Sequence, residues 1–302
     1  MRILVRRIGA LGDVVLATPI VRRLRRENPD AEIAVQTAYP DVFRNSPHRL
    51  AVFGPGPLPY PWTAEGGLDR TIDLDLAYES WPTQHVVRAY MWKAFADPRD
   101  IGQYDEGDLR QELAYGSGDA LRPLVPFPAA RRVVAVHAAQ AGWRSRTLPE
   151  ATWLAVVAGL RARGCFPLMV GTMRDALPGA RAASFHSGDV LAQAAMIARC
   201  ACFVGPDSGL LHVAGATDVP IVGVYTSVDA AYRRPLRGNP DAGPSWQGTF
   251  IAVRPQGLGC LGCQARRAPP ATTEECERGD YACAAAVRAE DIVDAAMRLI
   301  GR

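Results

Sequence analysis

The feature that most constrains this chain is residues 202–217, where a strand, a tight turn and a small-residue helix follow in direct succession. Phe203 and Val204 close a short apolar run, and Gly205-Pro206 breaks it. Asp207 and Ser208 are N-cap residue types. Leu210, Leu211, Val213 and Ala214 then recur as one helical apolar face. Such a helix start offers unpaired N–H groups and a positive dipole end, which suits a phosphate. Gly209 would admit a ligand close to the backbone, and His212 falls on the face of Ser208. An ordinary capped helix with a packing histidine shows the same letters, so the rest of the chain has to decide.

Strand and helix patterns alternate along nearly the whole chain. Residues 3–7, 32–36, 51–53 and 71–74 read as strands. Residues 9–13 form a glycine-rich turn. A helix follows to about Glu27; either Thr18-Pro19 are its N-cap and first residue, or it starts at Asp13 and tolerates the proline. Residues 54–67 read as a loop, 85–96 as a helix, and 109–115 and 123–128 as linker. A second series begins with a strand at 133–137 and a polar loop at 138–148. It continues with a helix at 149–163, a strand at 167–170, a helix at 191–199, the 202–217 unit and a strand at 221–225. Residues 238–285 are rich in Gly, Pro and Cys with little periodicity, and 287–300 is a final helix. No tandem repeat is present.

Two such series predict an α/β chain of two Rossmann-like domains, 1–125 and 126–302, facing a central cleft. Ligands of parallel sheets sit beyond the strand C-termini. That rule brings residues 9–13, 138–146, 171–175, 205–212 and 226–234 to one cleft.

At 302 residues the chain is long enough for two cores, and a net charge of +3 gives no reason to expect nucleic acid. Arg22, Arg23, Arg25 and Arg26 read as a solvated helix face, with an anionic acceptor or a membrane surface as the sharper alternative. The N-terminus imitates a signal peptide, but Gly9, Gly12 and Asp13 interrupt its apolar run. No uninterrupted apolar run of about 18 residues occurs, so a cytoplasmic protein with reduced cysteines and at most peripheral membrane contact is expected.

The run Gly-Ala-Leu-Gly-Asp-Val-Val-Leu-Ala-Thr-Pro from Gly9 to Pro19 resembles the opening of glycosyltransferase family 9, the ADP-heptose:lipopolysaccharide heptosyltransferases. Residues 136–149 resemble that family's loop with a basic residue before Trp-Pro, and 206–212 its Asp-Ser/Thr-Gly-x-x-His motif. The resemblance implies a GT-B fold and an inverting displacement with no catalytic metal. It implies Asp13 as the base that takes the acceptor hydroxyl proton; a helix-capping aspartate is the plain alternative. Gly12, Asp207, Ser208, Gly209 and His212 are the expected donor-binding residues. Asp207 binds a donor-sugar hydroxyl or orders the turn.

The departing nucleoside diphosphate needs a cation. The family's lysine is matched by Arg146, with Arg144 competing, and Thr147-Leu148-Pro149 replaces the usual Trp-Pro sequence. Ala138 and Ala139 stand where the family often has hydroxyl residues. Asp175 lies where an acidic residue meets the ribose. The acceptor side is expected around residues 81–85, Arg88 and the arginine-rich helix.

Cys260, Cys263, Cys276 and Cys283 form a C-x2-C-x12-C-x6-C pattern that suggests a structural Zn or Fe site, with free thiols or disulfides as alternatives. One branch of the family carries such a four-cysteine iron finger. Cys165, Cys200 and Cys202 read as core. The expected function is transfer of a heptose or similar sugar from ADP-heptose or a like nucleotide sugar to a glycan, lipopolysaccharide-core, lipid-linked or protein acceptor, as in lipopolysaccharide biosynthesis. A nucleotide-sugar epimerase and a non-catalytic nucleotide-sugar-binding or assembly protein are the alternatives.

Overall fold

Runs of Val, Ile and Leu that are apolar on both faces set the frame, as parallel strands covered on both sides require. The computed structural model describes residues 1–95, 108–116, 132–139, 143–237, 249–267 and 276–301. The first sheet contains β1 (Arg2–Arg6), β2 (Glu32–Gln36), β3 (Leu50–Phe53) and β4 (Arg70–Asp73), all parallel, in the order β3-β2-β1-β4. Val5 of β1 stands beside Val35 and Ile72. Around this sheet lie α1 (Leu11–Leu16), α2 (Thr18–Glu27) and α3 (Val86–Phe95).

The second sheet is parallel, with six strands: β5 (Val133–Val136), β6 (Phe166–Gly171), β7 (Ala183–His186), β8 (Cys202–Pro206), β9 (Ile221–Val224) and β10 (Phe250–Val253). Its order is β10-β9-β8-β5-β6-β7. Its helices are α4 (Glu150–Ala162), α5 (Val190–Ile197), α6 (Gly209–Gly215), α7 (Ala230–Arg233), α8 (Ala282–Ala285) and α9 (Ala289–Ile300). Val156 and Leu160 of α4 and Ile292 and Ala296 of α9 bury one face of this sheet. The other face joins the first sheet in one core that includes Val14, Leu16, Leu211 and Val213.

Strand order reverses between β1 and β4 in the first sheet and between β5 and β8 in the second. A crevice opens beyond the strand ends at each reversal. The segments that leave those four strands therefore carry the site.

Three expectations need correction. The first helix is two helices, because Pro19 lacks an N–H and starts α2 afresh, while the Thr18 hydroxyl donates to the Val15 carbonyl. β7 and β10 lie outside the expected strands: each is only four residues long, and β10 falls within 238–285, the stretch with little periodicity. Of the four arginines of α2, Arg26 is exposed as a solvated face requires, but Arg22 and Arg25 are half-buried and hold other segments. Arg25 donates to the carbonyls of His48, Pro29, Ala31 and Arg49, and Arg22 to those of Asp108 and Arg110 and to Glu112. They hold loops and the 108–116 segment, and the acceptor role loses its free cations at these two positions. Leu109 of that segment is fully buried. The expected boundary at 125/126, the 123–128 linker and Gln140 to Gly142 of the polar loop lie outside the described residues. Among the described residues no helix is long and apolar enough to cross a membrane.

Candidate active site

Asp13 sits in the first turn of α1, directly after β1. Its Oδ2 accepts from Arg7 at 2.6 Å, from the Ala10 N–H at 3.3 Å and from the Tyr78 hydroxyl at 3.3 Å. Arg7 is buried and also donates to the Leu74 carbonyl and, at 3.2 Å, to Glu79. Burial opposes the charge on Arg7, but Tyr90, Asp13 and Glu79 around it outweigh that and hold the guanidinium protonated. Burial, with Asp13 alongside, pushes the Tyr78 hydroxyl well above its ordinary value, so it stays a donor. Asp13 is thus a carboxylate clamped on one oxygen, at the first sheet's reversal.

The second reversal brings the partners. Asp207, buried after β8, pairs with Arg146 at 3.0 Å and with His212 at 3.6 Å. Burial favours its neutral form, yet Arg146 and His212 overcome this and hold its carboxyl at about 2. Arg146 also donates to Gln264 at 2.9 Å and lies over the Trp143 ring. Arg144 instead lies over Tyr281. The geometry separates the two candidate cations: Arg146 reaches the 207–212 turn, and Arg144 turns to the cysteine-rich segment.

The two halves meet at small residues. A Cβ on Gly12 would lie 2.6 Å from the His212 ring, and one on Gly209 would lie 3.0 Å from Leu11. Gly209 therefore admits α1 here, where sequence reading expected a ligand. His212 packs on Gly12 and pairs with Asp207, so in this arrangement it does not face open solvent. Ser208 does not cap α6 with its side chain; it bonds His137 Nδ1 at 3.0 Å. Asp175 is buried and accepts from the Thr172 N–H and hydroxyl, both at 2.9 Å, beside His137 Nε2 at 3.5 Å. These contacts hold it at the end of β6, in the turn that follows Gly171. Ala138 and Ala139 are buried and offer no hydroxyl.

Cys260, Cys263, Cys276 and Cys283 line one small cavity with Ser145 and Ser227. The donor set suits a thiolate metal, and all four are free thiols. Yet among the described residues no group of three or more His, Cys, Asp or Glu side chains is gathered closely enough to hold an ion. Burial raises the Cys263 and Cys283 thiols. Cys165, Cys200 and Cys202 are buried, as expected of core residues.

A family model described as glycosyltransferase family 9 (heptosyltransferase) matches residues 76–242, more than half of the chain. The chain belongs to glycosyltransferase family 9. The matched span of this family 9 chain contains Arg146, Asp175 and the 207–212 turn; Asp13 precedes it. Among solved structures, the chain is similar to a family 9 glycosyl transferase from Veillonella parvula (14% identity, 99% of this chain and 97% of that one, TM-score 0.70). It is also similar to the E. coli ADP-heptose lps heptosyltransferase II (16%, 99% and 98%, 0.70). A third is the iron-containing dodecameric glycosyltransferase TibC of enterotoxigenic E. coli (14%, 100% and 76%, 0.71). At these identities the likeness establishes the fold, which is that of GT-B glycosyltransferases. No curated protein sequence matches the chain.

Sequence reading missed Arg7, Tyr78, Glu79, His137 and Gln264. Arg7 ended a strand like any surface arginine, and Gln264 lay in a stretch without periodicity. The only available signal was position: Arg7, His137 and the 74–79 segment each follow a strand at a reversal of strand order.

Proposed function

We propose that this glycosyltransferase moves a heptose or similar sugar from an ADP-activated donor to a glycan, lipopolysaccharide-core or protein acceptor, with inversion. The carrying observation is the juxtaposition across the cleft. Asp13, clamped by Arg7 and Tyr78, stands on the helix that packs against His212, while Asp207 pairs with His212 and with Arg146, which reaches it from the 144–146 turn. In this reading the acceptor hydroxyl oxygen attacks the anomeric carbon as Asp13 takes its proton. The bond to the β-phosphate oxygen breaks, and ADP leaves with the electron pair. Asp13 Oδ1, which takes no hydrogen bond among the described residues, is the oxygen for that proton. Arg146 and the backbone N–H groups at the Ser208–Gly209 turn oppose the charge that grows on the leaving diphosphate. A structural Zn or Fe at the four cysteines belongs to the same reading; it would brace the loop that carries Gln264 and take no part in transfer.

The test is turnover with ADP-heptose beside UDP, GDP and CDP sugars, with and without a truncated lipopolysaccharide core. Acceptor-dependent release of ADP supports the reading. A preference for UDP or GDP sugars contradicts the donor, and binding without turnover contradicts the enzyme. Elemental analysis of the purified full chain tests the metal, and a chain with less than about half an equivalent of Zn or Fe contradicts it.

A further inference from the structure

Two buried charged side chains in the cleft are left incomplete by the protein itself. Arg233, the last residue of α7, is 6% exposed and makes no hydrogen bond or ion pair among the described residues. Its guanidinium lies over the Tyr78 ring, 4.0 Å from the centroid. Glu79 is 7% exposed. Its Oε1 accepts from Arg7, but its Oε2 has no hydrogen-bond partner among the described residues. Groups of this kind cost free energy when buried without partners. Arg233 and Glu79 line one small cavity together with Tyr78 and Gln264, and they do not pair with each other.

The position of the cavity indicates what it faces. Tyr78 donates to Asp13, and Gln264 accepts from Arg146. The space therefore lies between the proposed base and the proposed cation for the leaving diphosphate. In the transfer proposed above, the group that spans those two is the sugar itself. Its anomeric carbon stands between the attacking oxygen and the departing phosphate.

Donor and acceptor chemistry narrows the ligand further. Arg233 offers only N–H donors, and an ionised Glu79 only accepts. A phosphate or carboxylate placed on Arg233 would meet Glu79 Oε2 as a like charge. Two neighbouring hydroxyls satisfy both groups: one donates to Oε2, and the oxygen of the other accepts from the guanidinium. Tyr78 and Glu79 come from the first half of the molecule, and Arg233 and Gln264 from the second. As the halves stand, the cavity has room for about one water, so a sugar enters as they part.

We infer that Glu79 and Arg233 bind two neighbouring hydroxyls of the transferred sugar and so select which sugar is accepted. The inference rests on the donor site proposed above. The test uses the full chain, with ADP and ADP-heptose as ligands and calorimetry as the readout. Arg233→Met keeps an apolar stem beside Tyr78 and removes the donors. In Glu79→Gln the amide oxygen stays on Arg7, so the NH2 takes the place of Oε2 and turns an acceptor into a donor. Each variant should bind ADP within about twofold of wild type and ADP-heptose about tenfold more weakly, the effect of one lost hydrogen bond to a charged group. The retained ADP binding also shows that the variant folds. Arg233→Lys, which keeps a charge and N–H donors, should lose less than Arg233→Met. ADP-heptoses deoxygenated at one sugar carbon at a time should identify the diol. Two neighbouring deoxy sugars should bind wild type about tenfold worse, and each variant should no longer distinguish one of them from the parent sugar. Equal losses of ADP and ADP-heptose in the variants, unchanged ADP-heptose binding, or deoxy losses equal in all proteins overturn this inference alone. Failure of wild type to bind ADP-heptose overturns the proposed donor and this inference with it.

Discussion

Each key side chain in the cleft is held by a second one. Arg7 is the clearest case, because one guanidinium serves Asp13, Glu79 and the Leu74 carbonyl in a buried setting. Removing it would leave Asp13 and Glu79 facing each other without a counter-charge. Arg7→Met is expected to cost about 3–5 kcal/mol of stability, which chemical denaturation would measure. A cost under about 1 kcal/mol would mean that water reaches the pair. Glu79→Gln should cost less, because Arg7 keeps Asp13 and the Leu74 carbonyl. His85 gives a pH dependence of definite sign. Burial holds its imidazole neutral, lowering it from 6.5 to about 3. Nδ1 accepts from the Val87 N–H, and the Nε2 proton goes to the Arg234 carbonyl. The unfolded chain gains a proton below about 6.5 that the folded chain refuses until about 3, so stability falls across that window as pH falls. His85→Gln should flatten the slope of unfolding free energy between those pH values. An unchanged slope would place the effect elsewhere.

At the scale of elements, the cysteine-rich segment and the donor side share a wall. The 3-10 turn Arg144–Arg146 carries Ser145, whose carbonyl takes the Thr226 hydroxyl at 2.5 Å and whose hydroxyl meets Ser227. Ser145 and Ser227 also line the thiol cavity, and Gln264 follows Cys263 directly to hold Arg146. Gln264→Leu should therefore raise the donor KM several-fold with kcat little changed, since it loosens a binding cation and leaves Asp13 intact. Initial rates at varied donor would show it, and a loss confined to kcat would contradict it. The helices α1 and α6 make a second dependence. The contact of Gly12 with His212 leaves no space for a side chain, so Gly12→Val should lower both melting temperature and kcat/KM. Most of these elements were legible in the chain's periodicity. Buried strands such as β5 and β8 are apolar runs bounded by turns, and β2 falls where its pattern put it. What escaped were the four-residue strands β7 and β10, and polar pairs such as Arg7 with Glu79, which lie far apart in sequence and meet only through the sheet order β1-β4.

For the whole molecule, the two halves are joined by polar pairs as well as by the α1 to α6 contact. Arg44 grips both oxygens of Asp189 at 2.8 Å, Arg110 meets Asp218, and His85 reaches the Arg234 carbonyl. The exposed pairs are worth little singly and are weakened by salt. The cleft they close joins a clamped carboxylate from one half to an arginine and aspartate turn from the other. Donor occupancy and the rate of ADP release from ADP-heptose, compared in wild type and Asp13→Asn with truncated lipopolysaccharide core as acceptor, test that arrangement most directly. The account predicts equal occupancy and a rate about 10²–10⁴-fold lower in the variant. Equal rates at equal occupancy would contradict it.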